Sequence, residues 1–232
     1  KRTVFQFPQK QSIGTITIGK RLVETKAMGN IEPMPDEEIY FRPNELFLAH
    51  PELFRKFGAN DLTSLFIQGE PTAITDEVLT NINHLTGLQT LILRDCNLTA
   101  KAATTFNCFP HLENLALVDT EISGDGIAKL RRLRQLDSLT ANDVRNPSVF
   151  LTKLSSQSKL RTLSLKNAGL SDSDLKLIAQ MTNLRDLTIG GNREITKKGL
   201  AYLAGCKKLK KLQIKHIPIE PGCVEALAKI KK

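Results

Sequence analysis

Tryptophan is absent, and aromatic residues make up only 5% of the 232-residue chain. A fold organised on aromatic packing is therefore not expected, and leucine is expected to dominate the core. No apolar run approaches the roughly 18 residues that suggest a membrane span, so insertion of this chain into a bilayer is not expected. The four cysteines, Cys96, Cys108, Cys206 and Cys223, form no CxxC pair and have no histidine at zinc-finger spacing. They specify neither a metal site nor a disulfide framework. There is also no initiator methionine and no charged-then-apolar leader, so the chain reads as a processed form.

With 41% apolar and 25% charged residues, the composition is that of a globular chain able to bury a substantial core. The formal charge of +9 is unevenly placed: residues 190–232 carry eleven basic and three acidic side chains, a net +8. The remainder is close to neutral, which argues against a whole-protein field for polyanions.

A repeat dominates what is present. Leu62, Leu88, Leu112, Leu136, Leu160, Leu184 and Leu209 follow one another at intervals of 26, 24, 24, 24, 24 and 25 residues. Each opens the same frame: LTSLFI, LQTLIL, LENLAL, LDSLTA, LRTLSL, LRDLTI, LKKLQI. Later in the unit Cys96, Thr120, Val144, Ala168, Asn192 and Ile217 share a slot, and Leu98, Ile122, Leu170, Ile195 and Ile219 share another two residues on. Thr75, Thr99, Ser123, Ser171 and Thr196 then stand where a helix start needs a hydrogen-bond acceptor. Acidic residues follow in TDE and SDSD, suited to the positive end of the helix dipole. Apolar residues at every third position, as in Leu175, Ile178, Met181 and Leu184, complete a strand–turn–short helix unit.

Over residues 62 to about 220 the chain resembles the leucine-rich repeat family, whose LxxLxLxx(N/C)xL frame it matches seven times in register. It is similar to the helix-containing type, as in ribonuclease inhibitor and the cysteine-containing repeats of ubiquitin-ligase adaptors. The resemblance implies an α/β solenoid, a horseshoe with a parallel concave sheet and convex short helices. Residues 1–61 depart from the frame. TVFQF, SIGTITI and EEIYF read as short strands, and NELFLAHPELFRKFGA as helix in two pieces around Pro51. This segment is expected to cap the first repeat, giving a capping module at 1–61 and a repeat domain at 62–232. FPQKQSIGTITI also resembles a leader preceding such repeats in bacterial envelope proteins, leaving localisation open between the envelope and the cytoplasm.

The frame turns its leucines inward and leaves three columns on the concave surface. The first is Ser64, Thr90, Asn114, Ser138, Thr162, Asp186, Lys211; the second is Phe66, Ile92, Ala116, Thr140, Ser164, Thr188, Gln213; the third is Gln68, Arg94, Val118, Asn142, Lys166, Gly190, Lys215. They grade from apolar to basic. Phe66, Ile92, Arg94, Val118, Asn142, Lys166, Lys211, Gln213 and Lys215 are the candidate partner-binding residues, with a protein or peptide as the expected ligand. The alternatives at Phe66, Ile92 and Val118 are contact with a partner or cover by the cap. Asp95, Asp119, Asp143 and Asn167 form a ladder at the strand ends that either holds turns or attracts a cation.

NDVRNPSVF at 142–150 breaks the pattern, as a binding loop or a tolerated defect. GGN at 190–192 lacks the GK(S/T) of a phosphate loop. His50, His84, His111 and His216 fall in different slots, and no nucleophile–base or carboxylate pair recurs on one face. A non-enzymatic, monomeric interaction scaffold without cofactor or metal, from a larger bacterial protein, is the expected function. An enzyme would need a site in the fourth repeat or the N-terminal module. The alternative is anion or nucleic-acid binding through the basic C-terminal repeats, where CKKLKKLQIK at 206–215 places lysines between the ribs Cys206, Leu209, Leu212 and Ile214. Stacking aromatics, which single-strand binders add, are missing there apart from Tyr202.

Overall fold

The leucine frame becomes a register of strands. A computed structural model describes residues 4–19, 23–34, 37–70, 74–154, 158–218 and 221–228. Ile219, Glu220, Lys229, Lys231 and Lys232, counted above as a rib and as charges, lie outside the described residues.

Seven parallel strands follow the repeats: β6 Ser64–Gln68, β7 Thr90–Cys96, β8 Asn114–Thr120, β9 Ser138–Ala141, β10 Thr162–Ser164, β11 Asp186–Thr188 and β12 Lys211–Gln213, numbered after five strands of the N-terminal module. Neighbours pair in chain order, and the first concave column is aligned residue on residue from Ser64 to Lys211. The inward ribs from Leu65 and Ile67 to Leu187 and Ile189 are 1% exposed or less. Each such side chain contributes about 1.5–3 kcal/mol on leaving water, so the core is a leucine column shared by successive units.

Short helices return the chain to the next strand: α2 Asp76–Leu79, α3 Ala102–Phe106, α4 Gly124–Ile127, α5 Ser148–Leu154, α6 Asp172–Ile178, α7 Lys197–Tyr202 and α8 Cys223–Ala228, after α1 Glu45–Leu48 in the module. The expected caps are realised unevenly. Ser171 forms a capping box with Asp174, and the Thr196 hydroxyl accepts from the Lys198 N–H. Thr75 and Ser123 occupy cap positions without a side-chain cap bond. Thr99 is not a cap, because α3 starts three residues later with Lys101 at its cap.

Two threonines do other work. Asp76 accepts from the Thr99 N–H (3.1 Å) and hydroxyl (2.6 Å), and Asp172 holds Thr196 in the same way (2.9 and 2.7 Å). An aspartate opening one helix thus clasps the turn of the following repeat.

The N-terminal module joins the sheet directly. β5 Ile39–Pro43 pairs parallel with β6, β2 Gly14–Ile18 pairs antiparallel with β5, and β3 Val23–Lys26 forms the edge. β1 Phe5–Gln6 and β4 Asn30–Ile31 make a separate two-stranded pair. β3 and β4 were not expected from sequence. The two helical pieces around Pro51 are α1 and a 3-10 turn at Pro51–Lys56.

At the other end the ribs are less covered than their slots imply. Cys206 is buried, whereas Leu209, Leu212 and Ile214 are only half-buried at the side of the core. β12 has a neighbour on one side only among the described residues, which leaves the last ribs without a second layer.

Candidate functional site

The concave surface is wider than the repeats, because the cap extends it. Along β5, Ile39, Phe41 and Pro43 turn into the core, so Tyr40 and Arg42 face the same side as the repeat columns. The Arg42 guanidinium lies over the Phe66 ring, 4.6 Å from its centroid, a cation–π contact. Phe66 is therefore half-buried under one cap side chain rather than enclosed. Ile92 is its register partner on the next strand and is also half-buried. With Thr15, Thr17, Glu24 and Tyr40 they line a groove of about 270 Å³.

Val118 does not join this pair. It stands opposite Arg94 in the third column, while Ala116 is the residue opposite Ile92. A polar chain runs beside the groove: Arg42 donates to Gln68 Oε1 (3.2 Å), and Gln68 Nε2 donates to Asp95 Oδ2 (3.1 Å). Tyr40 donates to Glu38 Oε2 at 2.7 Å. That bond, with lesser contributions from burial and the Glu38 charge, raises the phenol above its ordinary pKa. The cap residues were missed at the sequence level, although the alternation of IYFRP carried the signal.

The other candidates fall apart from this group. Asn142 is occupied structurally, its Oδ1 accepting from the Ser164 hydroxyl (2.9 Å) and the Lys166 N–H (3.1 Å). Gln213 accepts from the Thr188 hydroxyl at 3.4 Å. Lys166, Lys211 and Lys215 are exposed. Lys215 is not next to Lys166: Gly190 lies between them, with Asn167 N–H bonded to Gly190 O and Gly191 N–H to Lys215 O. Phe66 and Lys211 are six strand spacings apart, roughly 29 Å. The candidates therefore form two separate patches, one apolar with mixed charge and one basic.

Three sequence candidates resolve into backbone architecture. Asp95, Asp119, Asp143, Asn167 and His216 all have φ between 51° and 60°, and Gly191, in the same slot, has 79°. Asp and Asn tolerate this left-handed conformation better than most residues, so the ladder answers a turn that recurs in repeats two to seven. GGN is likewise internal. Asn192 is 1% exposed; it accepts from the N–H groups of Ala168 (2.9 Å) and Leu170 (3.0 Å) and donates to the carbonyls of Leu165 (2.8 Å) and Ile189 (2.7 Å). In the fourth repeat, Asn146 adopts φ 56° and its carbonyl sits where a Cβ on Gly124 would be. Arg145 O accepts from the Gly124 N–H at 2.7 Å. The irregularity is thus a close approach between neighbouring turns, feeding directly into α5.

All four cysteines are free. Burial, then the Asp95 charge, pushes the Cys96 thiol up to about 12, and burial pushes Cys206 up to about 11. Cys223, left undetermined by its position in the sequence, is buried, and Cys108 is partly exposed. Among the described residues no group of three His, Cys, Asp or Glu side chains is arranged to hold a metal, and no helix is long and apolar enough to cross a membrane.

Parallel strands repeating about every 24 residues, convex helices and a left-handed residue at or just past the end of each strand from β7 to β12 decide the fold. The chain has a leucine-rich repeat fold. The leucine-rich repeat profile itself matches residues 180–204, and no curated protein matches the chain. Among solved structures it is similar to internalin C2 of Listeria monocytogenes, with 24% identity and a TM-score of 0.51 over 73% of this chain and 67% of that one. A second internalin of that organism aligns at 14% identity and a TM-score of 0.44, over 73% of this chain and 60% of its own. The repeats resemble those of bacterial proteins, and the likeness concerns architecture.

Proposed function

We propose that this chain is a non-enzymatic recognition scaffold that binds a protein or peptide at the cap-proximal part of its concave face. The observation that carries this reading is the Phe66–Ile92 pair, two large apolar side chains half-buried side by side on a face whose other residues are mostly polar or charged. Aromatic and arginine side chains around a shallow apolar floor are the composition of interaction hot spots. Arg42, Arg94 and Glu24 supply both charge signs at its margin, beside the neutral Tyr40. Residues 1–61 act as a capping module that shares its sheet with the repeats at 62–232 and adds recognition residues to them. The chain works as a monomeric sensing region of a larger bacterial protein.

The test is selection of peptides from a random display library on the whole chain. Enriched peptides should lose binding by about tenfold or more on Phe66→Asp or Ile92→Asp, as expected for a central hot spot. They should be indifferent to Lys211→Glu. Peptides that bind Phe66→Asp as well as the parent would sink the assignment of the groove.

A further inference from the structure

In the later repeats of this solenoid, basic residues collect where the chain enters the strands. Because β6–β12 are parallel, the residues leading into them share one amino-terminal rim, while Asp95, Asp119 and Asp143 mark the carboxyl-terminal rim. On the amino-terminal rim the Lys159 N–H donates to Arg134 O (3.0 Å), Arg185 N–H to Arg161 O (2.8 Å), and Lys210 N–H to Arg185 O (2.7 Å). These bonds set cations from successive repeats on neighbouring strands, roughly 4.8 Å apart. Lys208, whose Nζ donates to Asn183 Oδ1 at 2.9 Å, extends the row. All six side chains are exposed.

Among the described residues only one of the six has an ion-pair partner: Arg161, 3.1 Å from Asp137. Arg161 is 56% exposed and Asp137 39%, so the pair is reached by solvent and neutralises one of the six cations at most in part. The first four repeats have Thr63, Gln89, Glu113 and Asp137 in the slot that Arg161, Arg185 and Lys210 fill later. The basic rim thus runs from Arg134, just ahead of Leu136, to the seventh repeat, with Asp137 as the acidic residue in its course. It is distinct from the concave lysines Lys211 and Lys215, and it draws on residues well before the basic last fifth of the sequence.

Aligned like charges repel one another and weaken the compact state, which an anionic partner relieves. We propose that this rim docks the repeats on an anionic lipid surface. The cations are spread along the side of the sheet rather than set in a groove, and no exposed aromatic lies among the six for bases to stack on, as single-strand binders require. No helix or ribbon in this stretch stands clear of the sheet to enter a duplex groove. Solvated lysines and arginines facing a plane of headgroups are how juxtamembrane basic clusters hold acidic bilayers. A molecule standing on this rim has its strands upright, which leaves the Phe66 groove open sideways to a partner.

The test is co-sedimentation of the whole chain with phosphatidylcholine vesicles with and without phosphatidylglycerol. Binding should require phosphatidylglycerol and be released by salt, since the field decays within about 8 Å at physiological ionic strength. Lys159→Glu/Arg185→Glu/Lys210→Glu should lower partitioning roughly tenfold or more. Lys211→Glu/Lys215→Glu on the concave face should lower it far less. The milder set Lys159→Gln/Arg185→Gln/Lys210→Gln should fall between wild type and the reversed triple, so misfolding of the triple leaves a usable readout. The proposal is overturned by wild-type protein that ignores acidic vesicles, or by rim variants that bind as wild type does. Tighter retention on duplex DNA or polyglutamate than on vesicles at the same salt would also overturn it.

Discussion

The two ends of the sheet solve the same problem differently. At the N-terminal end an antiparallel addition, β2 and β3 beside β5, continues the sheet, and Phe5, Phe7, Phe41, Phe47, Phe54 and Phe57 fill the space beneath it. Their rings meet at centroid distances from 4.8 Å for Phe47–Phe54 to 6.5 Å for Phe47–Phe57. At the C-terminal end Leu209, Leu212 and Ile214 keep half their cover, and Val224 of α8 is 67% exposed. Six of the ten phenylalanines are therefore spent on closing one end, and lysines coat the other. A solenoid's stability is close to a sum of repeats and their interfaces, so the two ends should differ in how they open.

The strongest way to break the contrast is to unseal the closed end. Phe41→Ala removes a ring that contacts Phe7, Phe47 and Phe57, and should cost about 3–5 kcal/mol. Urea unfolding that shows less than about 1 kcal/mol would mean that the cap is not part of the cooperative unit. Next comes Asn192→Ala. It strips partners from two buried amides and two buried carbonyls, and should cost about 2–4 kcal/mol. Because Asn192 ties the fifth repeat to the sixth, hydrogen exchange should accelerate from Leu184 onward and leave β6 and β7 protected. Uniform acceleration would show that the repeats open as one body. Leu212→Ala at the open end should cost only about 1–2 kcal/mol, since the side chain is already half in water.

How much of this was readable beforehand depends on what each residue obeys. The columns from Ser64 to Lys211 were legible because strand alternation and a fixed repeat length leave one register. The cap strand at 23–26 was not, because VETK has no apolar alternation and is ordered by pairing with β2. Asp119 and its equivalents were visible as a ladder, yet the reason for them, a left-handed turn, is a backbone property that side-chain chemistry only hints at. The geometry of the candidate site was legible by half. Phe66 and Ile92 could be placed, but Arg42 comes from a segment outside the frame and meets Phe66 only through the β5–β6 pairing. Asn142 was placed by its slot alone, whereas the bonds of its Oδ1 to Ser164 and Lys166 depend on the neighbouring strand. The basic rim escaped because Arg134 and Lys159, or Arg185 and Lys210, are distant in sequence and adjacent only through the repeat.

A smaller effect tests the turns that both ends share. Asp119→Gly keeps φ 51° accessible and should leave stability within about 0.5 kcal/mol. Asp119→Val forces a β-branched residue into the left-handed region and should lose about 1–2 kcal/mol. Equal effects of the two would mean that the carboxylate, not the backbone, holds the turn.

The gentlest probe leaves the two ends unperturbed, because the chain already carries a thiol near each. Cys96 lies in the second repeat and Cys206 in the seventh, and both are buried with their ionisation suppressed. Alkylation needs the thiolate, so neither reacts until its surroundings open. Once exposed, each returns to an ordinary thiol near 8.5. Labelling at mildly alkaline pH therefore reads local opening free energy rather than intrinsic reactivity. Cys108, already partly exposed, should be modified first, then Cys206, with Cys96 slowest by about tenfold or more if the sealed end resists opening by an extra ~1.4 kcal/mol. Mass spectrometry of timed samples gives the order directly. Should Cys96 react as fast as Cys206, the phenylalanine cluster would confer no protection beyond its own strands, and the two ends would be equivalent in everything but composition.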